Sequence, residues 1–199
     1  MAISWFICNW PKLQVARYLE LGVAGGHHLA SVGAREKIGV DIQSHLIESP
    51  DFKFCLTDTG SFFQSIFPSQ KWDLIYIDAD HAWRCVLQDL NNSIAHLEKG
   101  GIIILHDLFP QEASLTARWY CEDAYKVLLP LKVRAEQGLV DLWVCDSDYG
   151  VTIVRGAEKL SSIQPEEVDA CLSYEDFRKK TADLRLYTIE EFKEIASRL

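Results

Sequence analysis

Apolar and polar positions come in blocks along this chain. From Arg17 onward, runs that are apolar almost throughout recur at residues 17–22, 37–41, 52–57, 72–78 and 101–107, and a turn signal follows each. Runs of strand length without polar alternation suit parallel strands covered on both faces. Between the last two, Trp83, Val86, Leu87, Leu90, Ile94 and Leu97 recur at three- and four-residue steps, which predicts an amphipathic helix stopped by Gly100-Gly101. A second helix is expected over residues 111–128, closed by Pro130. Residues 139–145 and 149–155 are strand-like and are joined by Asp146-Ser147-Asp148, which predicts a hairpin. The tail from Ala157 is charged, with helical stretches expected around 165–172 and 189–199. The expectation is a doubly wound α/β fold. Its seven-stranded, mostly parallel sheet ends in an antiparallel hairpin, in a domain over residues 1–156 followed by a helical appendage over 157–199.

Composition narrows the partners. A chain of 199 residues with 48% hydrophobic content can bury one substantial core. No run reaches the roughly 18 apolar residues of a membrane span. Residues 1–10 lack the basic start and small-residue cleavage site of a secretory signal, so a cytoplasmic protein without membrane contact is expected. The 6 cysteines form no C-x-x-C pair and read as reduced thiols. A net charge of −9 opposes the field that attracts phosphate backbones, which favours a small-molecule partner over nucleic acid. Self-association as a homo-oligomer is left open.

The candidate chemistry sits where strands end. Glu20 leads into Gly22-Val23-Ala24-Gly25-Gly26, a turn whose bare backbone lets a ligand approach closely. Asp41, about twenty residues on at the end of the second run, can accept both hydroxyls of a ribose, or cap the short segment after it. Asp58 lies at the same edge after the third run, within reach of an adenine amine or as a helix cap. Asp78 and Asp107 end the fourth and fifth runs, which brings two carboxylates to one rim. They repel unless a cation or a shared proton relieves them, and oxygen donors suit Mg2+ or Ca2+.

The stretches Tyr18-Leu19-Glu20-Leu21-Gly22-Val23-Ala24-Gly25-Gly26, Ile38-Gly39-Val40-Asp41, Ile75-Tyr76-Ile77-Asp78-Ala79-Asp80-His81 and Gly100-Gly101-Ile102-Ile103-Ile104-Leu105-His106-Asp107 resemble the successive motifs of class I S-adenosylmethionine-dependent methyltransferases. More narrowly they resemble a branch with macrolide-sugar O-methyltransferases and cephalosporin-hydroxylase-like proteins. The resemblance spans about residues 17–155. It implies S-adenosylmethionine as cofactor. Glu20, Gly22 and Gly26 would then form the turn that holds its methionine part, Asp41 would hold ribose, Asp58 would lie near adenine, and Asp80 would face the cofactor, cap the helix after it, or do both. Ala24 stands where the family pattern has a further glycine.

Compared with the metal motifs of catechol-type relatives, Asp78 and Asp107 match ligands, Leu108 replaces an Asn and His81 replaces a Lys. His106 could compensate for the missing ligand or be a hydrogen-bonded structural residue beside the strand end. The resemblance implies that His81, beside Asp78, acts as general base on an acceptor hydroxyl. His27 and His28 follow the glycine turn without metal-ligand spacing, and His45 and His96 are read as structural. Three other readings compete: a nicotinamide-dependent oxidoreductase, a hydroxylase-like relative, and a non-catalytic protein that keeps the fold.

Overall fold

The structure is a computed structural model that describes residues 16–43, 49–196 and 198. The expectations for residues 1–10 and for His45 lie outside the described residues. Eight strands form one sheet: β1 (Arg17–Leu21), β2 (Glu36–Asp41), β3 (Lys53–Leu56), β4 (Trp72–Ile77), β5 (Leu97–Leu105), β6 (Asp141–Cys145), β7 (Thr152–Arg155) and β8 (Leu186–Tyr187). Their order is β3-β2-β1-β4-β5-β7-β6-β8. β7 pairs antiparallel with both β5 and β6, and the remaining pairings are parallel.

Successive residues of a strand face opposite sides of a sheet, and both sides here are apolar. Leu19, Ile75, Ile77, Ile103 and Leu105 pack on one side with Val86, Leu87 and Leu90 of a helix, α3 (Trp83–Ala95). Tyr18, Leu74, Tyr76, Ile102 and Ile104 pack on the other with Leu29 of α1 (His27–Ser31) and Phe192 of α6 (Ile189–Ala196). Helices therefore cover both faces, which is why the strands carry no polar alternation. α2 (Thr59–Ser65) starts at Asp58, whose carboxylate accepts the Ser61 N–H at 2.8 Å.

The expected seven strands and terminal hairpin are present, with β8 as an eighth, two-residue strand beside β6. Three local expectations are corrected. The helix after β4 ends at Ala95, and Gly100-Gly101 lie inside β5, where the pairing with β4 shifts register. The segment 111–128 is not one helix. It holds two short 3-10 turns, Ala113–Thr116 and Ala124–Val127, separated by left-handed residues at Trp119 (φ 76°) and Glu122 (φ 44°), which a continuous α-helix cannot contain. Pro130, instead of closing a helix, is the third residue of α4 (Leu128–Glu136), within the first turn, where helical N–H groups have no partner in the helix.

In the tail, the expected helix at 165–172 is a single 3-10 turn, Pro165–Glu167. The α-helix lies further on, α5 (Tyr174–Lys180), because Ser173 caps it by accepting the Asp176 N–H. Ile163, Val168, Leu172 and Phe177 join the same buried cluster as the sheet.

Candidate cofactor cleft and carboxylate–imidazole cluster

Parallel order brings the carboxyl ends of β1 to β5 to one edge, where ligands of open α/β sheets bind. Gly22 follows β1 with φ 81°, and a Cβ there would stand 1.9 Å from the Asp78 carbonyl oxygen. Only glycine lets β1 turn this close to the end of β4. The Asp41 carboxylate then braces the turn: one oxygen accepts Val23 N–H at 2.9 Å and Ala24 N–H at 3.1 Å, and the other accepts Gln43 N–H at 2.9 Å. Ala24 takes the left-handed conformation (φ 43°) that the family's glycine would adopt freely, and the Asp41 bond helps to hold it there.

A cleft of about 520 Å3 runs along this edge. Gly22, Asp41, Asp58 and Asp80 of the expected cofactor residues line it, as does Asp78. Glu20 and Gly26 do not. Glu20 is 1% exposed behind the turn and accepts the Tyr18 hydroxyl at 2.9 Å; burial pushes its carboxyl up to about 8 despite that bond, with Asp78 and Asp41 adding to the rise. Gly26 precedes α1 with φ 73°. The cleft also contains a residue that the sequence reading missed, Asp89 of α3, which is 2% exposed. Its signal was available: it is a carboxylate set among the apolar positions 86, 87 and 90 of the helix.

At one end of the cleft, Asp78 meets Asp107 and two imidazoles. His81 Nε2 lies 3.1 Å from Asp107 and 3.6 Å from Asp78, and His106 Nδ1 lies at the same two distances from the same residues. The Tyr76 hydroxyl donates to Asp78 at 2.7 Å, and the Cys121 thiol to Asp107 at 3.4 Å. His81 Nδ1 is bonded to the Tyr120 carbonyl and must therefore carry its hydrogen there, which leaves Nε2 as the nitrogen aimed at the carboxylates.

The bond to Asp78, with nearer Asp107 adding its charge, raises His81 to about 9 against burial. Burial opposes charge on His106 as well, but Asp107 and Asp78 outweigh it and bring it to about 9. Burial would lift Asp107, yet His106, His81 and Cys121 hold it below the usual carboxylate range. The two carboxylates thus favour the protonated form of both imidazoles, so His81 Nε2 could ligate a cation only after giving up its proton.

The donor set fits a divalent cation. One atom each from Asp78, His81 and Asp107 lies within 4.8 Å of the others. His81 also shows the arrangement of a metal-bound imidazole, whose second nitrogen donates to a backbone carbonyl. Leu108, at the expected Asn position, is fully buried in the core and offers no ligand; the imidazoles occupy the rim in its place. Asp107 itself takes φ 64°, a strained conformation typical of functional positions. Of the remaining histidines, His28 packs edge-on against Tyr76 and His96 Nδ1 bonds the Gln70 carbonyl at 2.8 Å. Among the described residues, no helix is long and apolar enough to cross a membrane.

Comparison with known proteins agrees with this architecture. Residues 19–108 match the family model described as a methyltransferase domain. Among solved structures, the cofactor-bound Rv0187 from MTB is similar at 16% identity and a TM-score of 0.61, covering 78% of this chain and 80% of that one. The O-methyltransferase from Bacillus cereus in complex with SAH is similar at 11% identity and a TM-score of 0.57, covering 77% and 79%. Spermidine synthase from Thermotoga maritima is similar at 12% identity and 0.57, covering 97% and 70%. No curated protein matches the chain. Residues 19–108 are thus similar to a methyltransferase domain, and the sheet with its reversed β7 and the cleft at its strand ends has the fold of these solved structures.

Proposed function

We propose that the protein transfers a methyl group from S-adenosylmethionine to a hydroxyl of a small molecule, at a site completed by a divalent cation. The observation that carries the reading is that Asp78 belongs both to the cleft wall and to the carboxylate–imidazole cluster, so a cofactor in the cleft ends where acceptor and cation would meet. Likeness to the SAH complex from Bacillus cereus supports the cofactor. The net charge of −9 favours a small acceptor over nucleic acid.

Gly22 gives the cofactor close backbone approach. Asp41 keeps about one unused acceptor site for a ribose hydroxyl while it braces the turn, since its two oxygens offer about four and three backbone N–H groups use the others. Asp58 and Asp80 border the adenosine side. Asp78 and Asp107 would hold the cation, whose oxygen ligands suit Mg2+ or Ca2+, and His81 Nε2 stays off the cation to serve as the base. When bound, such an ion lowers the pKa of a coordinated hydroxyl. Tyr76 and Cys121 keep the two carboxylates aimed at the same point. His81, with Nδ1 committed to Tyr120, has only Nε2 with which to take up the acceptor's proton. That nitrogen is competent once it has released the proton that Asp78 and Asp107 now stabilise.

The test is calorimetry with S-adenosylhomocysteine and with NAD, each with and without Mg2+ or Mn2+, followed by methyl transfer to a panel of hydroxyl acceptors. Binding of S-adenosylhomocysteine but not NAD is expected, with transfer lost on chelation and in His81→Ala. Absence of S-adenosylhomocysteine binding would refute the cofactor, and full transfer under a chelator would refute the cation.

A further inference from the structure

The other end of the cleft is walled by the start of α2 and by one turn of α3, through Thr59, Gly60, Cys85, Gln88 and Asp89. The acids there differ in how they are engaged. Asp58 is exposed and accepts the Ser61 N–H at 2.8 Å, and Asp80 accepts the Ala82 N–H at 2.8 Å, so each serves a helix start. Asp89 caps nothing. It lies within α3, 2% exposed, and its carboxylate accepts from the Thr59 hydroxyl.

The charged groups facing Asp89 are Asp80 and Asp58, both acids, and burial with these neighbours pushes its carboxyl up to about 6. It is therefore mostly ionised at neutral pH, in a buried wall, without a cation beside it. A cation shared by these three acids does not fit: among the described residues, three metal-ligand groups converge only at Asp78, His81 and Asp107. A buried carboxylate in this position is stabilised by a ligand that brings N–H donors. Bare backbone borders the cleft beside it, since Gly60 packs against the same turn of α3, where a Cβ would stand 2.9 Å from Gln88 Nε2. A flat ring with an exocyclic amine matches both features.

We propose that Asp89 reads the purine of the cofactor by accepting an N–H of its exocyclic amine, while Asp58 remains the cap of α2. The inference rests on the S-adenosylmethionine reading above and assigns its base specificity to a residue on α3.

The experiment compares, by calorimetry, S-adenosylhomocysteine with its 6-deamino analogue, in which hydrogen replaces the amine. Loss of a donor to a charged acceptor should weaken binding to the wild-type protein by roughly tenfold to a hundredfold. Asp89→Leu, which keeps the branched shape and removes the acceptor, should bring the two affinities together, whereas Asp58→Asn should keep the wild-type ratio. Equal wild-type affinities, an unchanged ratio in Asp89→Leu, or a collapsed ratio in Asp58→Asn would each overturn the assignment. If Asp89→Leu does not fold, the wild-type ratio and the Asp58→Asn ratio decide alone. Failure of the wild-type protein to bind either compound would instead remove the cofactor reading on which the assignment depends.

Discussion

Replacing Glu20 by Gln should make the protein more stable in alkali, and the size of the effect is set by where β1 puts this side chain. Glu20 is 1% exposed beneath the glycine turn, and burial lifts its carboxyl from 4.5 to about 8. The unfolded chain releases that proton near 4.5, so between these values the folded state binds more protons and stability falls as pH rises. The contribution is complete below the unfolded value and is lost as pH climbs through the folded one. At about 1.36 kcal/mol per pH unit, the loss between pH 5 and 8 reaches roughly 4 kcal/mol as an upper bound, because water drawn toward the ionised group returns part of it.

Gln carries no proton to lose, and its carbonyl still accepts the Tyr18 hydroxyl. Thermal unfolding followed by circular dichroism, without ligand, should give Glu20→Gln and wild type similar midpoints at pH 5. At pH 8 the variant should melt higher by up to roughly 8 to 16 °C, at about 2–4 °C per kcal/mol for a chain of this size. Profiles that run parallel from pH 5 to 8 would refute the burial argument.

Two further outcomes test the cleft. Gly22→Ala places a methyl group 1.9 Å from the Asp78 carbonyl oxygen and forces a left-handed residue to carry a side chain, so the variant should be insoluble or unfolded at 25 °C; a natively melting Gly22→Ala would show that β1 does not approach β4 so closely. Asp41→Ala removes the acceptor of three backbone N–H groups, which should cost about 2 to 4 kcal/mol of stability and weaken S-adenosylhomocysteine binding by roughly tenfold or more; a Tm and an affinity both at wild-type values would remove Asp41 from the turn and from the ribose.

Much of the framework is local information, and it was legible in the chain. β1, β2, β4 and β5 bury residues on both faces while β3 is a partly exposed edge strand, and the runs at 17–22, 37–41, 52–57, 72–78 and 101–107 overlap the observed strands. Asp41, Asp58, Asp78 and Asp107 follow or end such runs, so parallel order alone brings them to one edge, whatever the loops do. The helix periodicity from Trp83 to Ile94 likewise marks the buried face of α3.

Long-range contacts decided the rest. Nothing near Trp119 announces a left-handed residue, and the path of 111–128 is set by distant anchors, such as the Asp123 carboxylate that accepts Trp83 N–H at 2.8 Å and the Cys121 thiol on Asp107. His81 was recognised, but not that the Tyr120 carbonyl, 39 residues on, would commit one of its nitrogens. Asp89 looked like one acid on a helix until α2 closed over it with Thr59 and Gly60. Sequence spacing determines which residues reach the strand ends, because strand and helix periods are local. Whether a carboxyl there is capped, paired or left facing a cleft depends on groups brought up from elsewhere in the chain, and only the packed tertiary structure supplies them.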